Sequence, residues 1–355
     1  MAEATLRDVA KLAGVHAGTA SRAMDPERSA LVTAATRERV LRAVAEIGYR
    51  GNAMARGLRT GRSGIIAVVA ADFGNPFLPP MLRGVEDEIN PAGFILLVAE
   101  THDRPGQLKK ITDHLAARRV DAIILGVAHY DDEPVVENLG RTIPVVLAAR
   151  NLPAKRHDSV VHDDVLGSRL ATLHLTDFGH TKLAIARADG VSSFISRTAG
   201  FRAVIAESGA TDCSMNVSAT EPTSAEGRRL MGLLLDNSGR RNRPTAVFAH
   251  NDMMAVGALD ALTERGLSCR GDVSLVGYND SPLTDHVDPP LTTVRLPSYE
   301  LGRRAAQMAI AKIDGSAARP KTVLLPPELV IRKSTRRRRR TASRSVALAG
   351  TTHRG

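Results

Sequence analysis

From Ile65 onward the chain repeats one pattern: a short, unbroken apolar run, then a segment long enough for a helix. The runs are IIAVVA at 65–70, ILLVA at 95–99, AIILG at 122–126, VVLA at 145–148, LAIA at 183–186, AVFA at 246–249 and VSLVG at 273–277. A strand apolar on both faces must be covered on both faces. Such strands alternating with helices therefore specify α/β architecture with parallel sheets between helix layers. Residues 63–331 are too many for one comfortable sheet, so two similar lobes with a ligand cleft between them are expected. No Walker A sequence, Gly-rich dinucleotide turn or Gly-x-Ser-x-Gly elbow occurs, so the common phosphate-cradling and nucleophile-elbow chemistries are excluded.

The first 60 or so residues lack strand patterns and read as three short helices. Thr5 and Asp8 stand in the N-cap and N3 relation of a capping box ahead of a helix whose Leu6, Val9, Ala10 and Ala13 share one face. Gly14 comes next, suited to a left-handed helix end. A second helix runs from about Ala17 to Met24. Thr33 caps a third, roughly Ala34 to Ile47, with Val40, Leu41, Val44 and Ile47 as its apolar stripe and Gly48 at its end. Two helices joined by a tight Gly turn describe a helix-turn-helix, with Ala10 and Ala20 small where the helices cross. A plain three-helix bundle shares that pattern.

Charge separates the two readings. Residues 1–62 hold 11 basic and 6 acidic residues, and residues 332–355 hold 9 basic and none acidic, whereas 63–331 hold 28 basic and 32 acidic. Two basic ends flank a mildly acidic body, which suggests a polyanionic partner, nucleic acid above all. The run Arg336–Arg340 and the residues after it cannot bury a core, so a disordered tail is expected, either touching nucleic acid or merely solvated. Two cysteines, Cys213 and Cys269, supply neither a disulfide framework nor a thiolate zinc cluster. MAEATLRDVAKLAG lacks the layout of a secretory signal, and no stretch of 18 apolar residues occurs, so a cytoplasmic protein with no membrane partner is expected.

LRDVAKLAGV…TASRAM and TRERVLRAVAEIGYRGNAMARGLRTGRS resemble the DNA-binding head and hinge of the LacI/GalR repressor family. The likeness continues in order through NPF at 75–77, HLTDFGHTKLAIA at 174–186, RTAGF at 197–201, HNDMMAVGALDAL at 250–262, DVSLVGYND at 272–280 and PPLTTVRLP at 289–297. It implies a homodimer, palindromic operator DNA as target, and a small-molecule effector between two periplasmic-binding-protein-like lobes. The implied division is a helix-turn-helix domain at 1–50, a hinge helix at 51–62 and a core at 63–331. Within the core, the N-lobe takes about 63–161 and 291–321, and the C-lobe about 162–290 and 322–331. A basic disordered tail fills 332–355.

By the same resemblance, DNA contacts fall to Thr5, His16, Ala17, Gly18, Thr19, Ser21 and Arg22, and in the hinge to Asn52, Ala55 and Leu58. Arg22 is the strongest candidate for reading a base, because its fork matches guanine O6 and N7. Phosphate binding is the blander role. His16 stands where the family usually has a capping Ser or Thr, and His is expected to cap less well. Leu58 matches the residue that each family chain wedges into the minor groove, which unstacks a base step. Effector contacts fall to Phe73, Phe77, Arg150, Asp164, Arg197, Asn251 and Asn279. Arg197 leads on chemical grounds, with an interlobe salt bridge as its structural alternative; N-capping is the alternative for Asn251 and Asp252.

Four departures from the family stand in the cleft: Ala149 for an acidic residue, Asn279 for Asp, Pro222 for a stacking aromatic and Leu296 for Gln. They point away from a simple neutral hexose, and Arg150 with Arg197 suggests a sugar-derived or anionic ligand. His162, Asp163, Asp164 and His174 lack metal-ligand spacing, and no cofactor, metal or catalytic residue is expected. The reading is thus a DNA-binding transcriptional regulator, a repressor by resemblance. A transporter's solute-binding protein and a sugar-processing enzyme are the rivals.

Overall fold

A computed structural model describes residues 4–25, 28–49, 61–282, 284–316 and 319–338. The chain divides at Gly64 and Ile65 into two compact units. In the first, helix α1 spans Leu6–Leu12, α2 spans Ala17–Met24 and α3 spans Ala34–Ile47. Gly14 (φ +62°) turns the chain between α1 and α2, and Gly48 (φ +61°) ends α3; both conformations suit a residue without Cβ. Val9, Ala10, Ala13, Ala20, Ala23, Val40 and Ala43 form the core of this unit. The small Ala10 and Ala20 let α1 and α2 approach closely. Leu41 does not join the α3 stripe; it is 43% exposed, and Ala43 takes the inward position between Val40 and Val44. The helical period explains it: 40, 43, 44 and 47 share a face and 41 lies off it.

The second unit holds two six-stranded sheets. The first is built from β1 Ile65–Ala70, β2 Ile95–Glu100, β3 Ala122–Leu125, β4 Val145–Ala148, β5 Asp158–His162 and β11 Thr322–Leu325, in the order β11-β5-β4-β3-β1-β2 and all parallel. The second is built from β6 Lys182–Ala186, β7 Thr211–Asp212, β8 Ala246–Ala249, β9 Ser274–Asn279, β10 Thr292–Arg295 and β12 Glu328–Val330, in the order β12-β10-β9-β8-β6-β7, with only β12 antiparallel. Alternate residues of each strand feed opposite helix layers. Ile66, Val68 and Ala70 of β1 pack toward the helices Leu78–Ile89 and Ser298–Ile313; Ala67 and Val69 pack toward Gln107–Ala117 and Glu133–Gly140. Among the described residues no helix is long and apolar enough to cross a membrane.

The chain passes between the lobes after β5, after β10 and after β11. Two expected lobe assignments are therefore corrected. Residues 292–295 belong to the C-lobe sheet, where Thr292 pairs with Val276, and 322–325 belong to the N-lobe sheet, where Thr322 pairs with Ser159. Thr292 and Thr293 are fully buried, so this central strand carries hydroxyls where an apolar run was sought.

The tail is corrected too. Residues 332–338 are packed against the C-lobe, with Ser334 and Thr335 buried. Ser334 Oγ accepts from Thr292 N–H (2.8 Å) and donates to the Leu275 carbonyl (2.6 Å), while the Ser334 carbonyl accepts from Leu275 N–H (2.9 Å). A serine and a threonine at this point supply hydrogen bonds to strand ends that an apolar segment would leave unmet. The remainder, 339–355, lies outside the described residues.

Helices Leu78–Ile89 and Ser298–Ile313 cross at glycines from both sides. A Cβ on Gly84 would overlap the Tyr299 carbonyl, and one on Gly302 would overlap the Met81 carbonyl. Gly84→Ala is therefore expected to destabilise the body by about 1–3 kcal/mol through overpacking. At about 2–4 °C for each kcal/mol in a large domain, the thermal midpoint falls by several degrees. An unchanged midpoint would show that the crossing tolerates a methyl group.

Candidate functional site

In the first unit, the end of α2 just past the turn is exposed and carries no carboxylate in its first turn. Thr5 donates both its N–H (2.9 Å) and its hydroxyl (2.7 Å) to the Asp8 carboxylate, which fixes the start of α1 and holds that carboxyl below its ordinary range. His16 does cap α2: its Nδ1 accepts from Gly18 N–H at 3.2 Å. An imidazole with an unprotonated Nδ1 supplies an acceptor in the place of a Ser or Asn oxygen. This arrangement sets the Nε2–H as a donor on the exposed ring. Ala17, Thr19 and Ser21 are half-buried, and Gly18 and Arg22 are exposed. Arg22 Nη2 makes a long contact (3.4 Å) to Thr19 Oγ1. Asn52, Ala55 and Leu58 lie outside the described residues.

In the second unit, the loops after the parallel strands face each other across the lobe junction, the usual place for a ligand in open α/β sheets. Arg150, just past β4, donates to both oxygens of Asp103 (3.0 and 3.2 Å) and to the Val127 carbonyl (2.8 Å). Asp103 also lies 2.7 Å from His129 Nε2. Burial acts to raise the Asp103 carboxyl, but the His129 hydrogen bond and the Arg150 charge outweigh it and hold the group well below the usual range.

Arg197 is buried in the C-lobe. Its Nε donates to Asp164 at 2.8 Å, its Nη1 to the His250 carbonyl at 2.5 Å, and its guanidinium lies 3.9 Å from the centre of the Tyr278 ring. Asp164 opens the helix Asp164–Asp177, which leads into the C-lobe, so the pair lies within that lobe and is not an interlobe bridge. His250 is fully buried, accepts from Ala188 N–H (2.9 Å) and is kept neutral by burial and then by the Arg197 charge.

The lobes meet at named points. Asn151 N–H donates to Ser192 Oγ at 2.8 Å, and Phe77 packs against the cores of both lobes. His162 meets the Phe77 ring edge-on at 5.6 Å. The remaining expected residues differ in standing. Asn251 is the N-cap of the helix Asp252–Glu264, accepting from Met254 N–H (2.7 Å) and donating to the Pro222 carbonyl (2.8 Å), so its amide is occupied structurally. Asp252 is not a cap. It accepts from Ser281 N–H (2.7 Å) and Thr293 Oγ1 (2.6 Å), and burial pushes its carboxyl up to about 6. Asn279 ends β9 half-buried with φ +113°, and Phe73 is exposed. Among the described residues no group of His, Cys, Asp and Glu could hold a metal ion, and His174 instead meets Thr335 Oγ1 at 2.9 Å.

Asp103, His129, His250 and Tyr278 were not singled out from the sequence, and His162 was considered there only as a metal ligand. Only His102 and Asp103 carried a local signal, a THDRPG stretch of turn-forming composition that the structure bends through φ +53° and +50°.

A helix-turn-helix unit followed by a two-lobed α/β body is the plan of a DNA-binding transcriptional regulator. The family model for bacterial regulatory proteins of the lacI family matches residues 5–52, and that for a periplasmic binding protein-like domain matches 172–335. The HTH-type transcriptional regulator DegA of Bacillus subtilis (strain 168) is 33% identical over 335 residues, covering 93% of this chain and 98% of that protein. The lac repressor dimer bound to operator and the anti-inducer ONPF matches with 27% identity and a TM-score of 0.84, covering 94% of this chain and 100% of that one. A transcriptional regulator CelR–cellobiose complex matches with 30% identity, a TM-score of 0.70 and the same coverage. The chain belongs to the LacI family of transcriptional regulators.

His162 gives a pH signature for the lobe junction. Burial, and then the Arg197 charge, lowers its pKa to about 3, and its Nε2 has no partner. The unfolded chain takes up a proton near pH 6.5 and the folded chain does not, so the full contribution is present above about 6.5 and is lost as pH falls toward about 3. Denaturant unfolding of wild type and His162→Gln should show the wild type losing about 1.4 kcal/mol more per pH unit in that window. Parallel profiles would place the imidazole in a wetter site than the one described.

Proposed function

We propose that this chain represses transcription as a cytoplasmic homodimer that binds a palindromic operator, with affinity set by a small polyhydroxy ligand between the lobes. The observation that carries the DNA half is the exposed, carboxylate-free first turn of α2, fixed by the His16 cap, with Arg22 on the same helix. The proposed DNA contacts are Thr5, His16, Ala17, Gly18, Thr19, Ser21 and Arg22, with Asn52, Ala55 and Leu58 from the hinge sequence. Arg22 reads a guanine through its fork, and helix-turn-helix dimers read half-sites about one helical turn apart.

For the ligand, the paired state of the two arginines decides between chemistries. Each has a carboxylate of its own, Asp103 for Arg150 and Asp164 for Arg197, so neither offers the uncompensated positive charge that suggested an anion. A guanidinium beside a carboxylate presents donors and acceptors together, which suits adjacent hydroxyls. Phe73 and Phe77 supply apolar faces for the ring, and Asn279 an amide at the C-lobe side. The matched CelR structure holds cellobiose, a neutral sugar.

Two experiments test the two halves. In selection from random duplexes, wild type should enrich a palindrome, and Arg22→Ala should lose about 1–3 kcal/mol of discrimination at one base pair per half-site. Equal losses on the selected and random duplexes would reduce Arg22 to a phosphate contact. In calorimetry against neutral saccharides and their phosphorylated counterparts, a neutral member should bind more tightly. Tighter binding of the phosphorylated partner would overturn the ligand class.

A further inference from the structure

The C-lobe holds a second cavity, remote from the cleft, with a volume of about 460 Å³, in the range usual for small-molecule sites. Three pieces of chain enclose it. One is the end of the helix Asp252–Glu264 with the turn that follows, one is the segment leading into β10, and one is the segment that follows β12. The helix starts just past β8 at the cleft, so its end lies at the opposite side of the lobe. β12 runs antiparallel to β10, so its end lies beside the start of β10. The strands between, four to six residues long, separate the cavity from the cleft by roughly 15–20 Å.

The lining divides by chemistry. Leu259 is buried, and Leu267, Pro289 and Pro290 are half-buried, which makes an apolar wall. Cys269 adds to it: burial pushes its thiol up to about 12, so it stays a neutral S–H, which donates to the Ser334 carbonyl (3.5 Å). Arg270 and Lys333 are exposed at the rim, and among the described residues neither is in an ion pair. The one carboxylate of the lining is Asp288. Neighbouring carboxylates are engaged elsewhere: Asp272 accepts from Ser268 N–H (2.8 Å) and Oγ (2.9 Å), and Glu264 pairs with Arg228.

The turn that presents Arg270 is firmly built. Arg270 N–H donates to the Val273 carbonyl (2.7 Å), and Asp272 N–H to the Ser268 carbonyl (2.9 Å). Arg270 has φ +58°, a left-handed conformation that favours glycine. An arginine here stands against the local backbone preference, and such outliers cluster at ligand sites.

We propose that this cavity is a second ligand site, which takes a small organic monoanion: a carboxylate between Arg270 and Lys333, with an apolar body against Leu259, Leu267 and the two prolines. The arginine fork accepts a carboxylate in pairs of hydrogen bonds, and the lysine adds a point charge. Two cations against Asp288 leave the lining with one net positive charge, which suits a single carboxylate and not a phosphate dianion. The site is separate from the saccharide cleft and does not rest on the reading of that cleft or of the head.

The test is ligand-detected NMR titration of the full chain with benzoate as probe. Benzamide supplies the ring without the charge, and inorganic phosphate the charge without the ring. Benzoate should bind most tightly of the three. Arg270→Gly suits the left-handed turn, and Lys333→Gln keeps the backbone N–H that meets the Pro290 carbonyl at 2.9 Å. Each should weaken benzoate by about tenfold or more and leave benzamide unchanged. Benzoate binding that survives both substitutions lies elsewhere, at the cleft arginines for instance, and overturns the site. So does a wild type that binds benzoate no better than benzamide or phosphate.

Discussion

The body is organised around one buried cation. Arg197 joins the start of the helix Asp164–Asp177, the end of β8 through the His250 carbonyl and the Tyr278 ring of β9, three pieces of the C-lobe that meet at the cleft. Taking a guanidinium out of water costs several kcal/mol, and the cost is met only while Asp164 and the carbonyl stay in place. Removing one partner of such a pair typically costs about 3–5 kcal/mol, because the other is left buried and uncompensated. The same charge helps keep His162 and His250 neutral. Three pieces of the C-lobe are thus tied together from inside by a single side chain.

Contacts between the lobes are of a different kind. One hydrogen bond from Asn151 to Ser192 and one aromatic side chain, Phe77, shared between two cores, are modest beside the packed sheets on either side. Three chain crossings connect the lobes, each through a few residues at the ends of β5, β10 and β11. A ligand placed between Arg150 with Asp103 on one side and Arg197 on the other would shift the balance of lobe arrangements only by its difference in affinity for them.

Much of this was legible in the residues. The seven apolar runs are seven of the twelve strands among the described residues; six of them are mostly buried, and a strand covered on both faces cannot hide its composition, while the edge strand β2 is partly exposed yet equally apolar. The helix starts at Thr5 and Thr33 and the turns at Gly14 and Gly48 followed from capping chemistry alone. Strands β5 and β10 were obscured because Asp158, His162, Thr292 and Thr293 are buried with hydrogen bonds or unprotonated, which composition cannot report. Leu41 was misplaced by one step in the helical period. The packing of residues 332–338 was missed because arginines dominate the composition there while the two small residues that anchor the segment, Ser334 and Thr335, do not stand out. The partners of the arginines were illegible for another reason: Asp103 lies 47 residues from Arg150, and Asp164 33 from Arg197, so only the fold brings them together.

If the cleft and the head serve one function, their two ligands must be thermodynamically linked, and linkage is reciprocal. The decisive measurement is the affinity of a cleft-binding saccharide for the full chain, free and again saturated with the selected palindrome. The account predicts two different affinities, with a ratio in the usual allosteric range of about 5- to 150-fold and equal to the ratio of DNA affinities with and without the saccharide. Identical saccharide affinities in the two states would contradict it.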